Sequence, residues 1–169
     1  MTRTQLDMET VHDLLDGNLT EDELYNELLP NPKDPDRFEK VRRAYQERVD
    51  WDDPILVALN EHLFVVGTEE GRKIKAECGH VLCGADENWK TACQVRVRSE
   101  QEELAELYGE HHTPAWSFEL REFYCPGCYQ LVEVEAVPSA YPVIQRFDPN
   151  IDEFYEEWLG EPAPDSDVA

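Results

Sequence analysis

The chain has 169 residues and a formal net charge of -23, with 38 acidic residues against 15 basic ones. This negative excess argues against nucleic-acid binding, because that function needs a basic surface. The length fits one domain with an appended helical arm, and a hydrophobic fraction of 41% allows a modest core. An acidic surface is also what a cytoplasm of high salt favours, which we treat as a hypothesis about habitat.

The sequence carries no signal for a membrane or for secretion. No apolar run approaches the roughly 20 residues needed to span a bilayer, and the first ten residues lack the apolar stretch of a secretory signal. We therefore expect a soluble intracellular protein with a cytoplasmic location.

Residues 1–50 are predicted to form a helical arm. A first helix is expected from Thr4 to Leu15, with Gly17 ending it. Thr20 and Glu23 have the spacing of a capping box, and Asp34 with Pro35 is typical of an N-cap followed by a first helical residue. The apolar stripes of these helices fit two alternatives: packing on the body of this chain, or lying on another subunit.

Residues 51–147 are predicted to form an antiparallel β domain. Strict alternation in V-R-V-R and L-V-E-V-E-A-V is typical of half-buried antiparallel strands. A hairpin turn is expected at residues 69–71, and one helix is expected from a capping box at Ser99 and Glu102 to about Tyr108. The expected strands are Ile55–Leu59, Leu63–Val66, Arg72–Glu77, Thr91–Arg98, Trp116–Phe123 and Gln130–Val137.

Residues 148–169 are predicted to be a C-terminal amphipathic helix and a disordered tail. Asp148 and Pro149 are expected to start the helix, Gly160 to end it, and the tail after Pro162 to be disordered. Its apolar residues fit either core packing or a docking surface; they are Ile151, Phe154, Tyr155, Trp158 and Leu159.

Four cysteines in two close pairs predict a structural Zn²⁺ site. Cys78 with Cys83 and Cys125 with Cys128 fall where predicted strands end, as in a zinc ribbon embedded in a small antiparallel sheet. Two short disulfides or unbonded thiols are the alternatives. Cys93 lies on an alternating strand and is interpreted as a small core residue.

The number of cysteines also indicates whether the predicted metal is structural or catalytic. Four thiolates close the coordination sphere, whereas a catalytic zinc keeps a position open for water. His80 leaves a Cys₃His set possible, and we favour four cysteines with His80 as a neighbouring donor. The pair His111-His112 is expected in an exposed loop, and the sequence has no recognisable catalytic motif. We therefore assign no catalytic residue.

Seven short segments, in order along the chain, resemble the small, gamma-type subunit of acetone carboxylase and related biotin-independent ketone carboxylases. They are N-P-K-D-P-D-R-F (31–38), W-D-D-P-I (51–55), E-C-G-H-V-L-C (77–83), N-W-K (88–90), R-E-F-Y-C-P-G-C (121–128), Y-P-V-I (141–144) and F-Y-E-E-W-L-G (154–160).

The resemblance implies a non-catalytic subunit of an ATP-dependent ligase that carboxylates a ketone to a β-keto acid. Two large subunits, of alpha and beta type, would bind ATP and a transition metal within a heterohexamer. By position, the small subunit's zinc would be held by Cys78, Cys83, Cys125 and Cys128.

Two rival functions remain open from the sequence. One is a free-standing zinc-ribbon adaptor in regulation. The other is the small subunit of a related aromatic-ketone carboxylase or hydantoinase-like complex, since the chain shows no substrate pocket that would fix the ketone.

Overall fold

The computed structural model describes residues 5–109, 117–145 and 147–165. Its internal contacts divide the chain into two units, Met1–Val49 and Asp50–Ala169. Four features predicted from the sequence lie wholly or partly outside the described residues: the helix start at Thr4, the pair His111-His112, the strand start at Trp116 and the tail beyond residue 165.

The first unit consists of helical segments: α1 (Met8–Asp16), a π-helical segment (Glu23–Leu28) and α2 (Arg37–Gln46). Gly17 ends α1 with a φ of 69°, as the sequence predicted. The predicted capping box is confirmed, because the Thr20 amide donates to Glu23 Oε2 at 2.8 Å and the Glu23 amide donates to Thr20 Oγ1 at 3.3 Å.

Asp34 has a different role from the predicted N-cap. Helix α2 begins at Arg37, and its N-cap position is Asp36. The fully buried Asp34 carboxylate instead accepts from the Leu6 amide at 2.8 Å, the Asp36 amide at 2.9 Å and Lys40 Nζ at 2.7 Å. It therefore ties the start of the chain to α2, a long-range role that a local sequence pattern does not reveal.

The second unit contains two antiparallel sheets. The first has the order β1 (Ile55–Ala58), β2 (Leu63–Val66), β3 (Lys73–Ala76), β4 (Val81–Gly84). The second has the order β5 (Gln94–Arg98), β6 (Glu119–Tyr124), β7 (Leu131–Val137). The α+β class predicted from the sequence is confirmed, with the strands divided between two sheets. Strand β4 was not expected, because it is short and follows the first cysteine directly.

Short helices connect and flank the sheets. A 3₁₀ turn (Trp89–Ala92) precedes β5, and α3 (Gln101–Tyr108) follows it. The predicted capping box at Ser99 and Glu102 is wrong, since the N-cap of α3 is Glu100 and its side chain makes no capping hydrogen bond. Within the described residues, no helix is both long enough and apolar enough to cross a membrane.

The described core of the second unit is apolar and includes buried ion pairs. Phe64 and Phe123 are fully buried. Lys90 is 1% exposed, and its Nζ contacts Glu133 Oε1 at 2.5 Å and Glu135 Oε2 at 2.8 Å. This pairing compensates the cost of burying the ammonium group.

The C-terminal segment packs on the first sheet. It starts with a single turn, α4 (Ile151–Glu153), and continues as a π-helical segment (Phe154–Leu159) that ends at Gly160 with a φ of 75°. The N-cap is Asn150 rather than the predicted Asp148. The tail also differs from expectation, because Ala163 is 5% exposed and Asp165 Oδ2 accepts from Arg72 Nε at 2.7 Å.

Candidate metal centre

The cysteine pairs lie on turns that extend from different sheets. Cys78 lies in the turn between β3 and β4, at the end of the first sheet. Cys125 directly follows β6, and Cys128 lies in the turn to β7, at the end of the second sheet. A site built from both turns therefore joins the two sheets of this unit.

The turn that carries Cys78 is a tight hairpin loop. The Gly79 amide donates to Ala76 O at 2.8 Å, and the Ala76 amide donates to His80 O at 2.8 Å. Gly79 has a φ of 89°, which a residue with a side chain adopts only at a cost. Cys78 is thereby held at the tip, with its backbone fixed on both sides.

Trp51 supports this turn from outside. Its indole Nε1 donates to Glu77 O at 3.0 Å, and a Cβ on Gly79 would approach Trp51 Cδ1 to 3.3 Å. Lys75 Nζ lies 4.3 Å from the centroid of the Trp51 ring and 2.6 Å from Asp53 Oδ2. The segment W-D-D-P-I (51–55), one of the seven that carry the family resemblance, thus positions the first cysteine turn.

The second turn, C-P-G-C, is closed by two backbone hydrogen bonds. The Tyr129 amide donates to Cys125 O at 2.8 Å, and the Cys125 amide donates to Gln130 O at 2.9 Å. Tyr129 has a φ of 62°, which is uncommon for a residue other than glycine. This strained position reverses the chain directly after Cys128.

The two turns pack against each other through His80 and Gly127. A Cβ on Gly127 would lie 2.7 Å from His80 Cβ and 2.9 Å from His80 Cγ. Glycine is thus required at residue 127 for this close approach. The sequence indicated His80 as a neighbour of the site, but the need for Gly127 became apparent only from the folded structure.

Three of the predicted ligands are brought together. The Sγ atoms of Cys78, Cys125 and Cys128 all lie within 4.8 Å of one another, and the Cys78 and Cys125 Sγ atoms are 3.7 Å apart. A disulfide needs a distance of about 2.05 Å, so these sulfurs are not bonded to each other. Four sulfurs around Zn²⁺ at about 2.3 Å would be about 3.8 Å apart in a tetrahedron. The donor set and its spacing therefore fit a thiolate-bound metal ion.

The fourth predicted ligand, Cys83, lies on β4 outside that group, judged over the described residues. Its Sγ is 3.9 Å from Glu87 O. Burial raises the pKa of the Cys83 thiol to about 11, and the nearby carboxylates of Glu87 and Asp86 add to this effect. Ionisation of this thiol thus needs a compensating positive charge.

Cys93 is half-buried and makes no part of the three-sulfur group in the described residues. Burial raises the pKa of its thiol to about 12, with the Cys125 and Cys83 thiols as further causes. The half-buried position of Cys93 agrees with the core position that its sequence pattern suggested.

A family model described as "Acetone carboxylase gamma subunit" matches residues 49–159. The chain is also 41% identical over 157 residues to the acetone carboxylase gamma subunit of Xanthobacter autotrophicus (strain ATCC BAA-1158 / Py2), covering 90% of this chain and 92% of that protein. The chain belongs to the acetone carboxylase gamma subunit family. The resemblance noted from seven short segments is thereby confirmed.

A second relative is named for a carboxylase that acts on a different ketone. The chain is 33% identical over 79 residues to the acetophenone carboxylase beta subunit of Aromatoleum aromaticum (strain DSM 19018 / LMG 30748 / EbN1). This match covers 45% of the chain and 61% of that protein. Both relatives are named as subunits of carboxylases.

Proposed function

We propose that this chain is the small structural subunit of an ATP-dependent ketone carboxylase that forms acetoacetate from acetone and bicarbonate. Its similarity to a gamma subunit over 92% of that protein's length is the observation that carries the proposal. The chemistry would belong to two large subunits, of alpha and beta type, in a heterohexamer with two copies of each chain. This subunit would contribute structure and no catalytic residue.

We further propose that Zn²⁺ is the metal and that Cys78, Cys83, Cys125 and Cys128 are its ligands. Three of these thiols already lie within tetrahedral reach of one another, and Cys83 is the remaining thiol of the predicted pair. Thiolates are preferred by Zn²⁺ in closed structural sites. Unbonded thiols also fit a reducing cytoplasm, the location we propose for the complex.

The position of the candidate metal site supports a structural role for the metal. Its candidate ligands come from the ends of two different sheets, each of only three or four short strands. Metal binding contributes folding free energy directly when the site exists only in the folded chain. Zinc would therefore fix one sheet against the other and keep the surfaces of this unit in place for the large subunits.

Co-expression with alpha-type and beta-type large subunits from the same organism tests the proposal. We expect the three chains to copurify, and we expect the complex to fix labelled bicarbonate only with both ATP and acetone. The isolated chain should have no such activity. A chain that neither associates with the large subunits nor changes their activity would contradict the proposal and favour the free-standing zinc-ribbon adaptor.

The acetophenone carboxylase match supports a second candidate, a complex that acts on an aromatic ketone. The greater coverage of the gamma-subunit relative favours acetone. Supplying the purified complex with acetone or acetophenone separates the two, because only the true substrate should support ATP-dependent fixation.

A further inference from the structure

Trp158 is the most exposed large apolar side chain among the described residues of the chain. It is 80% exposed, in the π-helical segment Phe154–Leu159. Its ring centroid lies 6.3 Å from that of the half-buried Phe154, one turn earlier, whose ring also contacts the buried Tyr155 ring at 5.8 Å. Sequence reasoning left open whether these aromatics are core or docking surface, and Trp158 is not core.

The segment that presents Trp158 is firmly attached to the sheet beneath it. Ile151 is 5% exposed and Tyr155 is 1% exposed. The buried Tyr155 hydroxyl donates to Leu56 O on β1 at 2.8 Å. Tyr155 therefore anchors the segment to the sheet, and the exposed Trp158, three residues further on, is presented by an attached segment rather than by a loose end.

A single arginine holds the segment at both of its ends. Arg72 Nη2 lies 2.5 Å from Asp152 Oδ1, before the aromatic pair, and Arg72 Nε lies 2.7 Å from Asp165 Oδ2, after it. These ion pairs restrict the segment in the free protein. A surface ordered in advance loses less conformational entropy when a partner binds.

The charges around Trp158 select the kind of partner. Residues 151–165 contain no Lys or Arg, and the exposed residues Glu156, Glu157 and Glu161 lie close to Trp158 in the sequence. A second copy of this chain would place like charges against each other. An anionic membrane surface would repel the segment for the same reason. An apolar pocket with a basic rim is complementary to this surface.

We propose that Trp158, supported by the half-buried Phe154, inserts into a basic-rimmed apolar pocket on a large carboxylase subunit. This inference rests on the proposed function and deepens it by naming the surface through which the small subunit binds. Tryptophan is enriched among the few interface residues that carry most of the binding free energy. The acidic residues form the rim, where charges contribute mainly to orientation and to the rate of association.

The test measures binding of the full-length chain to the purified pair of large subunits by surface plasmon resonance. The variant Trp158→Ala removes the anchor, and Tyr108→Ala removes another exposed aromatic, 55% exposed, at the end of α3. We expect Trp158→Ala to raise Kd at least about 30-fold, the range of interface hot spots. Tyr108→Ala should change Kd less than about 5-fold.

A charge-reversal variant tests the rim. Replacing Glu156 and Glu157 by Lys should slow association with the large subunits, and salt should slow association of the wild-type chain. Thermal unfolding of the two alanine variants should match that of the wild-type chain, because the altered side chains are exposed. The charge-reversal variant should be at least as stable as the wild-type chain, because it reduces the negative excess.

The outcomes separate this inference from the proposed function. A wild-type chain that binds the large subunits while Trp158→Ala binds equally tightly would overturn the inference and leave the function standing. An effect of Trp158→Ala on self-association alone would overturn it as well. A wild-type chain with no affinity for the large subunits would reject the function, and the inference with it.

Discussion

Individual cysteines show how far residue type and spacing predict chemistry. The pairing of Cys125 with Cys128 across C-P-G-C puts both sulfurs in one turn, and the structure adds Cys78 from the other sheet within 4.8 Å. The spacing of the cysteines predicted these three ligands because the residues that form each turn are close together in the sequence. The place of Cys83 depends on the pairing of β4 with β3, where Cys83 lies opposite Ile74 next to a register irregularity that spacing does not reveal.

The first prediction concerns the ligands. Cys125→Ser should release about one equivalent of zinc and unfold the second unit, because a structural site supplies folding free energy. Metal content by mass spectrometry and circular dichroism measure the two effects. Cys93→Ser is the matched control and should retain both metal and fold.

Cys83→Ser in the same series decides the fourth ligand. We expect it to lose zinc as Cys125→Ser does. Full retention of zinc in this variant would show that another group completes the site, and zinc bound by Cys125→Ser would contradict the whole ligand set.

The second prediction concerns the contact between the turns. Gly127→Ala should destabilise the chain by about 1–3 kcal/mol, the usual cost of overpacking, because its Cβ would lie 2.7 Å from His80 Cβ. Chemical denaturation measures this free energy. In the His80→Gly background, which removes the His80 Cβ, the same change should cost less. An equal cost in both backgrounds would place the strain somewhere other than at His80.

At the scale of elements, helix ends were predicted well where their signals are local. The capping box at Thr20 and Glu23 and the glycine stop at Gly17 formed as predicted. The N-terminal boundaries of α2 and α3 were wrong. Asp34 has the residue type of an N-cap, but its carboxylate is used by the distant Leu6 amide and Lys40. The tertiary contacts of Asp34 override its local preference for the N-cap position.

Asp34 supplies the third prediction, on pH. Hydrogen bonds from Lys40 and from the Leu6 and Asp36 amides lower the pKa of Asp34 from 3.8 to about 2. A lowered pKa means that the stabilisation is complete above the unfolded-state value and is lost as pH falls through the folded-state value. The first unit should therefore lose stability between about pH 4 and pH 2.

Amide hydrogen exchange of Leu6 reports this transition in the full-length chain. Asp34→Asn should exchange faster at pH 7 and lose the transition, since the amide side chain carries no charge. Asp36→Asn is the control, because Asp36 makes no side-chain cap hydrogen bond. A pH dependence that persists unchanged in Asp34→Asn would assign it to another carboxylate.

At the scale of the whole molecule, charge is the dominant feature. A net charge of -23 on 169 residues produces repulsion that opposes the compact state. Several cations are already engaged in ion pairs, including Arg72, Lys75 and Lys90. Screening by added salt is therefore the main way to reduce the repulsion that remains.

The fourth prediction follows from the excess of negative charge. Raising KCl from dilute buffer to about 1 M, where the screening length is about 3 Å, should raise the Tm of the isolated chain. A variant with Glu69→Gln and Glu70→Gln, two exposed acidic residues in a turn, should gain less from salt. Equal Tm values in dilute and molar salt would reject the hypothesis of adaptation to a high-salt cytoplasm.

The sequence by itself determined the α+β class, most strands, the local helix caps and the thiol chemistry of the site, because each depends on neighbours within a few residues. Tertiary structure decided the division into two sheets, the approach of His80 to Gly127, the burial of Lys90 and the outward position of Trp158. These depend on contacts between segments far apart in the chain. The same apolar stripe in 151–159 fits core or surface equally well until the sheet beneath it fixes which side is covered.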